Sequence, residues 1–194
     1  SCFFQNWPAG GISAEAMATA LGGAQDGVLA EEINLRAEGV ISFPDHLSME
    51  EAACLPCAGL TAWNCLMVQG GMKAGDTILL LGTGGVSIFG LQFAAMAGAR
   101  VIITSSSDEK LKRASDMGAW KTINYRDNPE WQEEVLKLTD GRGVDIALET
   151  GGGGTLPRTI DAVRVGGTIS LVGVLTGGEI NPVAVMRKSI RLQG

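Results

Sequence analysis

From Gly75 onward, short apolar runs and helical stretches take turns along the chain, and this alternation constrains the fold more than any single residue does. Thr77-Ile78-Leu79-Leu80-Leu81 is a continuous apolar run, as a strand buried on both faces requires. Residues 86–97 read as a helix that is apolar nearly all round, hence buried, and stopped by Gly98. Val101-Ile102-Ile103-Thr104 is the next strand. Ser106-Ser107-Asp108-Glu109 predicts a capping box opening a helix to Met117, with Gly118 as its stop. Thr122-Ile123-Asn124 is a short strand, and Asn128-Pro129 caps and starts a helix to Leu138. Residues 144–148 form a strand, residues 155–163 a helix with Pro157 in its first turn, and residues 168–172 a fifth strand. Ile190-Arg191-Leu192-Gln193-Gly194 reads as the beginning of another. Strands alternating with helices imply parallel pairing through right-handed crossovers, so the fold class is α/β with a doubly wound sheet.

The stretch before Gly75 has a different texture. Up to about Asp26 it mixes Gly, Ala and polar residues, with one short helix expected over residues 14–21. Residues 28–35 and 39–43 look like two short strands, the second closed by Pro44. Ser48-Met49-Glu50-Glu51 fits a capping box, and helices follow to about Gln69, where Gly70-Gly71 supplies the stop.

Composition excludes several partner classes. The net charge of -6 argues against nucleic acid, which selects basic faces. No apolar stretch approaches the roughly 20 residues that span a bilayer, so no membrane partner is expected. Four cysteines are too sparse for a disulfide framework, and a cytoplasmic location is the default. The chain opens Ser1-Cys2-Phe3-Phe4, without Met or the charged start of a signal peptide, and reads as part of a longer protein.

The loop after the first buried run carries the chemistry. A strand, a Gly-x-Gly-x-x-Gly turn and a helix together bind dinucleotide phosphates. The first glycine allows the tight turn, the second lets the backbone approach the pyrophosphate, and the third lets helix and strand pack closely. Amides at the helix N-terminus then face the phosphates. In Gly82-Thr83-Gly84-Gly85-Val86-Ser87, Gly82 and Gly84 fill the first two places and Ser87 the third. The end of the following strand selects the cofactor. An acid there would bond the ribose hydroxyls of NAD and repel the extra phosphate of NADP. Here Thr104-Ser105-Ser106-Ser107 stands instead, with no acid until Asp108 and with Lys110 to supply charge. This favours NADP over NAD, although the serines also serve as helix caps.

Several segments taken in order resemble the medium-chain dehydrogenase/reductase superfamily of zinc-type alcohol dehydrogenases and quinone oxidoreductases. They are Leu55-Pro56-Cys57-Ala58-Gly59-Leu60-Thr61-Ala62-Trp63, Gly75-Asp76, the loop at Gly82, Ile123-Asn124-Tyr125-Arg126, Gly141-Arg142-Gly143-Val144-Asp145 and Gly173-Val174. The resemblance implies a GroES-like catalytic domain preceding the Rossmann domain. Residues 1–54 would be its last portion and the connecting segment, and residues 55–194 the NAD(P)-binding Rossmann domain. It further implies that Thr61, Gly151 and Gly173-Val174-Leu175 lie near the nicotinamide. Ser105 would occupy the place of the acid, and Lys110 and Tyr125 would hold the adenosine phosphate. The implied activity is hydride transfer between NADPH and an alcohol or carbonyl, a quinone or an enone. The alternatives are a non-catalytic NADPH sensor or an enoyl-reductase domain of a larger synthase. A small-molecule substrate and a homodimer or homotetramer are the implied partners. No catalytic proton donor can be named.

Cys54-Leu55-Pro56-Cys57 has the spacing of a zinc or redox pair, but one histidine in the chain leaves four ligands out of local reach. Small buried hydrophobes are the expectation for these cysteines. Cys57 does match a catalytic zinc ligand of the alcohol dehydrogenases, yet many relatives work without zinc, and no metal is expected. His46 reads as a surface-loop residue, Glu149 as placed by the sheet or near the ribose, and Trp63 as a core residue.

Overall fold

A computed structural model describes residues 3–7 and 9–194; Ser1, Cys2 and Pro8 of the opening segment lie outside it. The chain forms two compact units, residues 1–57 and 58–194.

The first unit is built of short pieces. Helix α1 (Ala14–Met17) is capped by the Ser13 hydroxyl, which accepts from the Ala16 amide at 3.1 Å. It ends after four residues, short of the expected Leu21. Residues 28–35 and 39–43 form no strand, contrary to the alternation in their sequence. Leu29 and Ile41 stand almost wholly in solvent, and among the described residues no neighbouring strand offers them a ladder. A strand without a partner leaves its amides and carbonyls to water and gains nothing over an irregular path. Helix α2 (Met49–Ala53) begins with the expected capping box. The Ser48 hydroxyl accepts from the Glu51 amide at 3.2 Å, and the Glu51 carboxylate accepts from the Ser48 amide at 2.9 Å.

A wide π-helical turn (Leu55–Gly59) follows, where Pro56 has no N–H to give an α-helical ladder. The helical run continues in the second unit through α3 (Leu60–Trp63) and a π-helical turn (Asn64–Gln69), and ends at Gly70-Gly71 with Gly71 left-handed.

The rest of the second unit alternates strictly. The strands are β1 (Thr77–Leu80), β2 (Arg100–Ser105), β3 (Lys121–Asn124), β4 (Val144–Glu149), β5 (Val163–Leu171) and β6 (Arg191–Gln193). Between them run α4 (Gly85–Met96), α5 (Asp108–Asp116), α6 (Trp131–Leu138), α7 (Leu156–Ala162) and α8 (Pro182–Arg187). All pairs are parallel, in the order β3-β2-β1-β4-β5-β6. This is the doubly wound Rossmann sheet. The two-residue period of the pleat divides its core. Ile78, Leu80, Val101, Ile103, Ile146 and Leu148 face Leu66, Leu91 and Leu111 from the helices of one layer. Leu79, Ile102, Ala147 and Ile169 face Trp131, Val135, Leu156 and Ile160 from the other.

Two helix starts differ from expectation. The N-cap of α5 is Ser107, so its third helical residue is Lys110 and not Glu109, and no reciprocal box forms. Ser106 is left free of that duty because Ser105 turns back to bond the Ser107 amide. Helix α6 starts at Trp131 with Glu130 as its cap. Asn128 instead closes a turn, its amide donating to the Asn124 carbonyl at 2.9 Å.

Candidate cofactor-binding site

The C-terminal ends of β1 and β4 are neighbours, and the chain winds away from them in opposite directions. In open parallel sheets ligands lie in the crevice at this switch point. The sequence-predicted residues gather there in two groups, one on each side.

The first group is the glycine loop and the ends of β2 and β3. Gly82 has φ 73°, a left-handed turn that favours glycine, and its amide donates to Thr104 Oγ1 at 3.2 Å. The Thr83 and Ser105 hydroxyls are 3.0 Å apart, which ties the loop to the end of β2. Gly84 is the N-cap of α4 and no side chain caps that end, so the first-turn amides, Gly85 and Val86 among them, are open to a ligand. A Cβ on Gly84 would meet no protein atom within 4 Å. That open space above a helix N-terminus is where a phosphate fits. Ser87 is buried, its hydroxyl donating to the Leu81 carbonyl at 2.8 Å, so it cannot reach a ligand. A further close approach of helix to strand falls one turn later: a Cβ on Gly90 would stand 3.1 Å from Leu80 Cδ2.

Ser106 is half-buried beside this loop, while Lys110 and Tyr125 are exposed. Tyr125 is held next to β2 by its amide, which donates to the Ser105 carbonyl at 3.0 Å. The nearest acid, Asp108, accepts from the Asn124 side-chain amide at 2.7 Å. Ser106 and Tyr125 therefore follow the paired ends of β2 and β3, Lys110 lies in the first turn of α5, and the Asp108 carboxylate is already engaged. Thr61 sits in α3, three residues beyond Ala58, whose Cβ borders the space over Gly85.

The second group stands beyond the ends of β4 and β5. Gly151 and Gly173 lie in half-buried loops, while Val174 and Leu175 are exposed apolar side chains after β5. The Thr150 hydroxyl joins the two groups by donating to the Leu81 carbonyl at 2.8 Å. Sequence reasoning passed over Thr150, Thr155 and Thr176. A threonine on either side of a glycine run was the only signal.

The cysteines do not behave as expected. Cys54, at the C-cap of α2, and Cys57, in the π-helical turn after it, are exposed, and Cys54 donates to the Glu50 carbonyl at 3.4 Å. Among the described residues the buried cysteine is Cys65, and burial pushes its thiol up despite a hydrogen bond with Ser170. His46 is an exposed turn residue. Trp63 is partly exposed and packs edge-on against Phe93, ring centroids 5.4 Å apart.

Residues 85–194 match the family model described as zinc-binding dehydrogenase. The chain belongs to that family. A zinc-type alcohol dehydrogenase-like protein of Schizosaccharomyces pombe is 44% identical over 182 residues, 93% of this chain and 53% of that protein. A solved structure from Sinorhizobium meliloti 1021, described as an alcohol dehydrogenase, superposes with TM-score 0.91 at 44% identity, over 100% of this chain and 58% of that one. A mycobacterial protein solved in complex with NADPH superposes with TM-score 0.74 at 32% identity, over 81% of this chain and 49% of that one. The chain thus spans about half the length of the curated relatives it matches.

Zinc is implied by the family description. Among the described residues of this chain, no three His, Cys, Asp or Glu side chains converge as ligands would. These residues do not make up a zinc site. A dinucleotide fits, because the uncapped α4 terminus and the open space over Gly84 form a phosphate cradle. Among the described residues no helix is long and apolar enough to cross a membrane.

Proposed function

We propose that the chain is the NADP(H)-binding part of an oxidoreductase acting on a small carbonyl compound, quinone or enone. The observation that carries the cofactor choice is the end of β2, where Ser105 and Ser106 stand in place of an acid and Lys110 and Tyr125 are exposed beside them. A carboxylate at that point would repel a 2′-phosphate; hydroxyls and an ammonium attract one. The relative solved with NADPH supports the same reading.

In this reading the amides of Gly84, Gly85 and Val86 hold the pyrophosphate, with Thr83 kept in place by Ser105. Ser106, Lys110 and Tyr125 take the adenosine 2′-phosphate. Thr61, Gly151, Gly173, Val174 and Leu175 border the nicotinamide, and the exposed Val174 and Leu175 supply apolar surface that keeps water from the reacting carbon. The nicotinamide, when bound, supplies the hydride; the chain supplies orientation and electrostatics. The substrate binds against this end and makes its remaining contacts outside the chain.

The test is the full-length protein with NADPH and, separately, quinones, enones and aldehydes, following loss of NADPH absorbance. Turnover of at least one class is expected. Binding of NADPH with turnover of none would overturn the enzymatic reading in favour of a sensor.

A further inference from the structure

Glu149 ends β4 with no exposure to solvent, and among the described residues no cation pairs with it. Its carboxylate is instead surrounded by donors. Oε1 accepts from the Gly151 amide at 2.7 Å, the Gly152 amide at 3.1 Å and the Thr155 hydroxyl at 2.7 Å. Oε2 accepts from the Thr159 hydroxyl at 2.5 Å. A carboxylate accepts on both oxygens and donates nothing, so it suits a nest made of donors alone. The Glu149 backbone carbonyl grips the other loop, accepting from the Val172 and Gly173 amides at 2.8 and 3.1 Å.

Thr176 closes the second side of this junction. Its hydroxyl donates to the Gly151 carbonyl at 3.0 Å and accepts from the Gly154 amide at 2.8 Å. Its backbone makes a further pair with the first loop, Gly153 amide to Thr176 carbonyl at 2.9 Å and Thr176 amide to Gly151 carbonyl at 3.0 Å. The loops meet backbone to backbone: a Cβ on Gly173 would overlap the Thr150 carbonyl, and one on Gly153 the backbone at Gly178. Such contact leaves the pair one arrangement.

The junction stands over β4 and β5, across the switch point from the glycine loop. A dinucleotide whose pyrophosphate rests on that loop, with its adenosine over β2, must lay its second nucleotide over β4 and β5. We infer that Glu149 and Thr176 are positioning residues for the nicotinamide half of the cofactor, holding the two loops as one rigid floor while the adenosine half binds independently of them. The inference rests on the dinucleotide reading above.

The experiment compares two ligands in the full-length protein: NADPH, and 2′-phospho-AMP, which is the adenosine half alone. Thr176→Val changes an exposed side chain and removes only the hydroxyl bridge. It is expected to weaken NADPH about tenfold while leaving 2′-phospho-AMP within about twofold of the unaltered protein. Glu149→Met, similar in length but without an acceptor, is expected to show a larger split of the same sign. If it does not fold, Thr176→Val decides alone. Equal weakening of both ligands by Thr176→Val, or of neither, overturns the positioning role while the cofactor reading stands. An unaltered protein that binds neither ligand overturns both.

Discussion

The Ser105 hydroxyl is committed before any ligand arrives, bridging Thr83 in the glycine loop and the Ser107 amide at the start of α5. In the proposed reading, an aspartate at that position would set a negative charge beside the adenosine ribose. Ser105→Asp is therefore expected to weaken NADPH by about tenfold or more and to strengthen NADH, read by cofactor fluorescence; unchanged preference would remove Ser105 from the selection of cofactor. Lys110 contributes a point charge on a solvated side chain. Lys110→Ala should weaken NADPH about tenfold at low salt, less at high salt, and leave NADH alone. An equal loss for both cofactors would place Lys110 elsewhere. The left-handed turn at Gly82 and the place of Gly84 at the start of α4 were legible in the sequence because each follows from backbone geometry. Ser87 was read as a small residue permitting close packing, and it is buried with its hydroxyl on the Leu81 carbonyl; a second close approach, at Gly90 one turn on, lies beyond the span of the motif.

Among the elements, β4 ties the sheet together at its opposite end. Asp145 is buried there and accepts from Arg142 at 2.6 and 3.1 Å, Arg164 at 2.7 Å and the Thr77 amide at 2.9 Å. Burial alone would raise this carboxyl, but the hydrogen bonds from Arg142, Thr77 and Arg164 and the Arg142 charge outweigh it and hold the group well below the usual carboxylate range. A depressed folded-state value adds stability above the unfolded value and loses it as the pH falls further. The protein should lose stability as pH drops below about 4, and Asp145→Asn should cost about 2 kcal/mol at neutral pH while flattening that acid limb in thermal melts. A variant with an unchanged acid limb would assign the loss to other carboxyls. On the other layer, Gly90→Val would push a branched side chain into Leu80, Leu66 and Leu148, costing about 1–3 kcal/mol by denaturant unfolding. A neutral result would mean that α4 can withdraw from β1. Element existence could be read from apolar runs and glycine stops, whereas helix starts slipped by one to three residues. Ser106, Ser107 and Asn128 are all competent caps, and which of them serves is set by local turn bonds such as Ser105 to Ser107 and Asn128 to Asn124, which the cap residue types alone do not announce.

Across the whole molecule, legibility divides at the start of the sheet. The second unit carries its own partners, so every apolar run finds a ladder and a helix to cover it. Residues 28–35 and 39–43 have strand-like alternation, but no strand lies beside them among the described residues, and a two-residue period cannot announce whether a partner exists. On the glycine-loop side of the candidate site the motif residues could be named from the sequence, and they stand at the ends of β1 and β2. On the other side, Glu149 was noted without its partners and Thr176, which binds the two loops together, went unnoticed, since its hydroxyl bonds join residues 22 and 25 positions apart. The central claim is that this sheet holds NADP(H) at the β1–β4 switch point with its 2′-phosphate at the ends of β2 and β3. Fluorescence titration with NADPH and with NADH tests it most directly. Saturable binding with NADPH clearly tighter is the predicted result; no binding of either at millimolar concentration, or a preference for NADH, would contradict it.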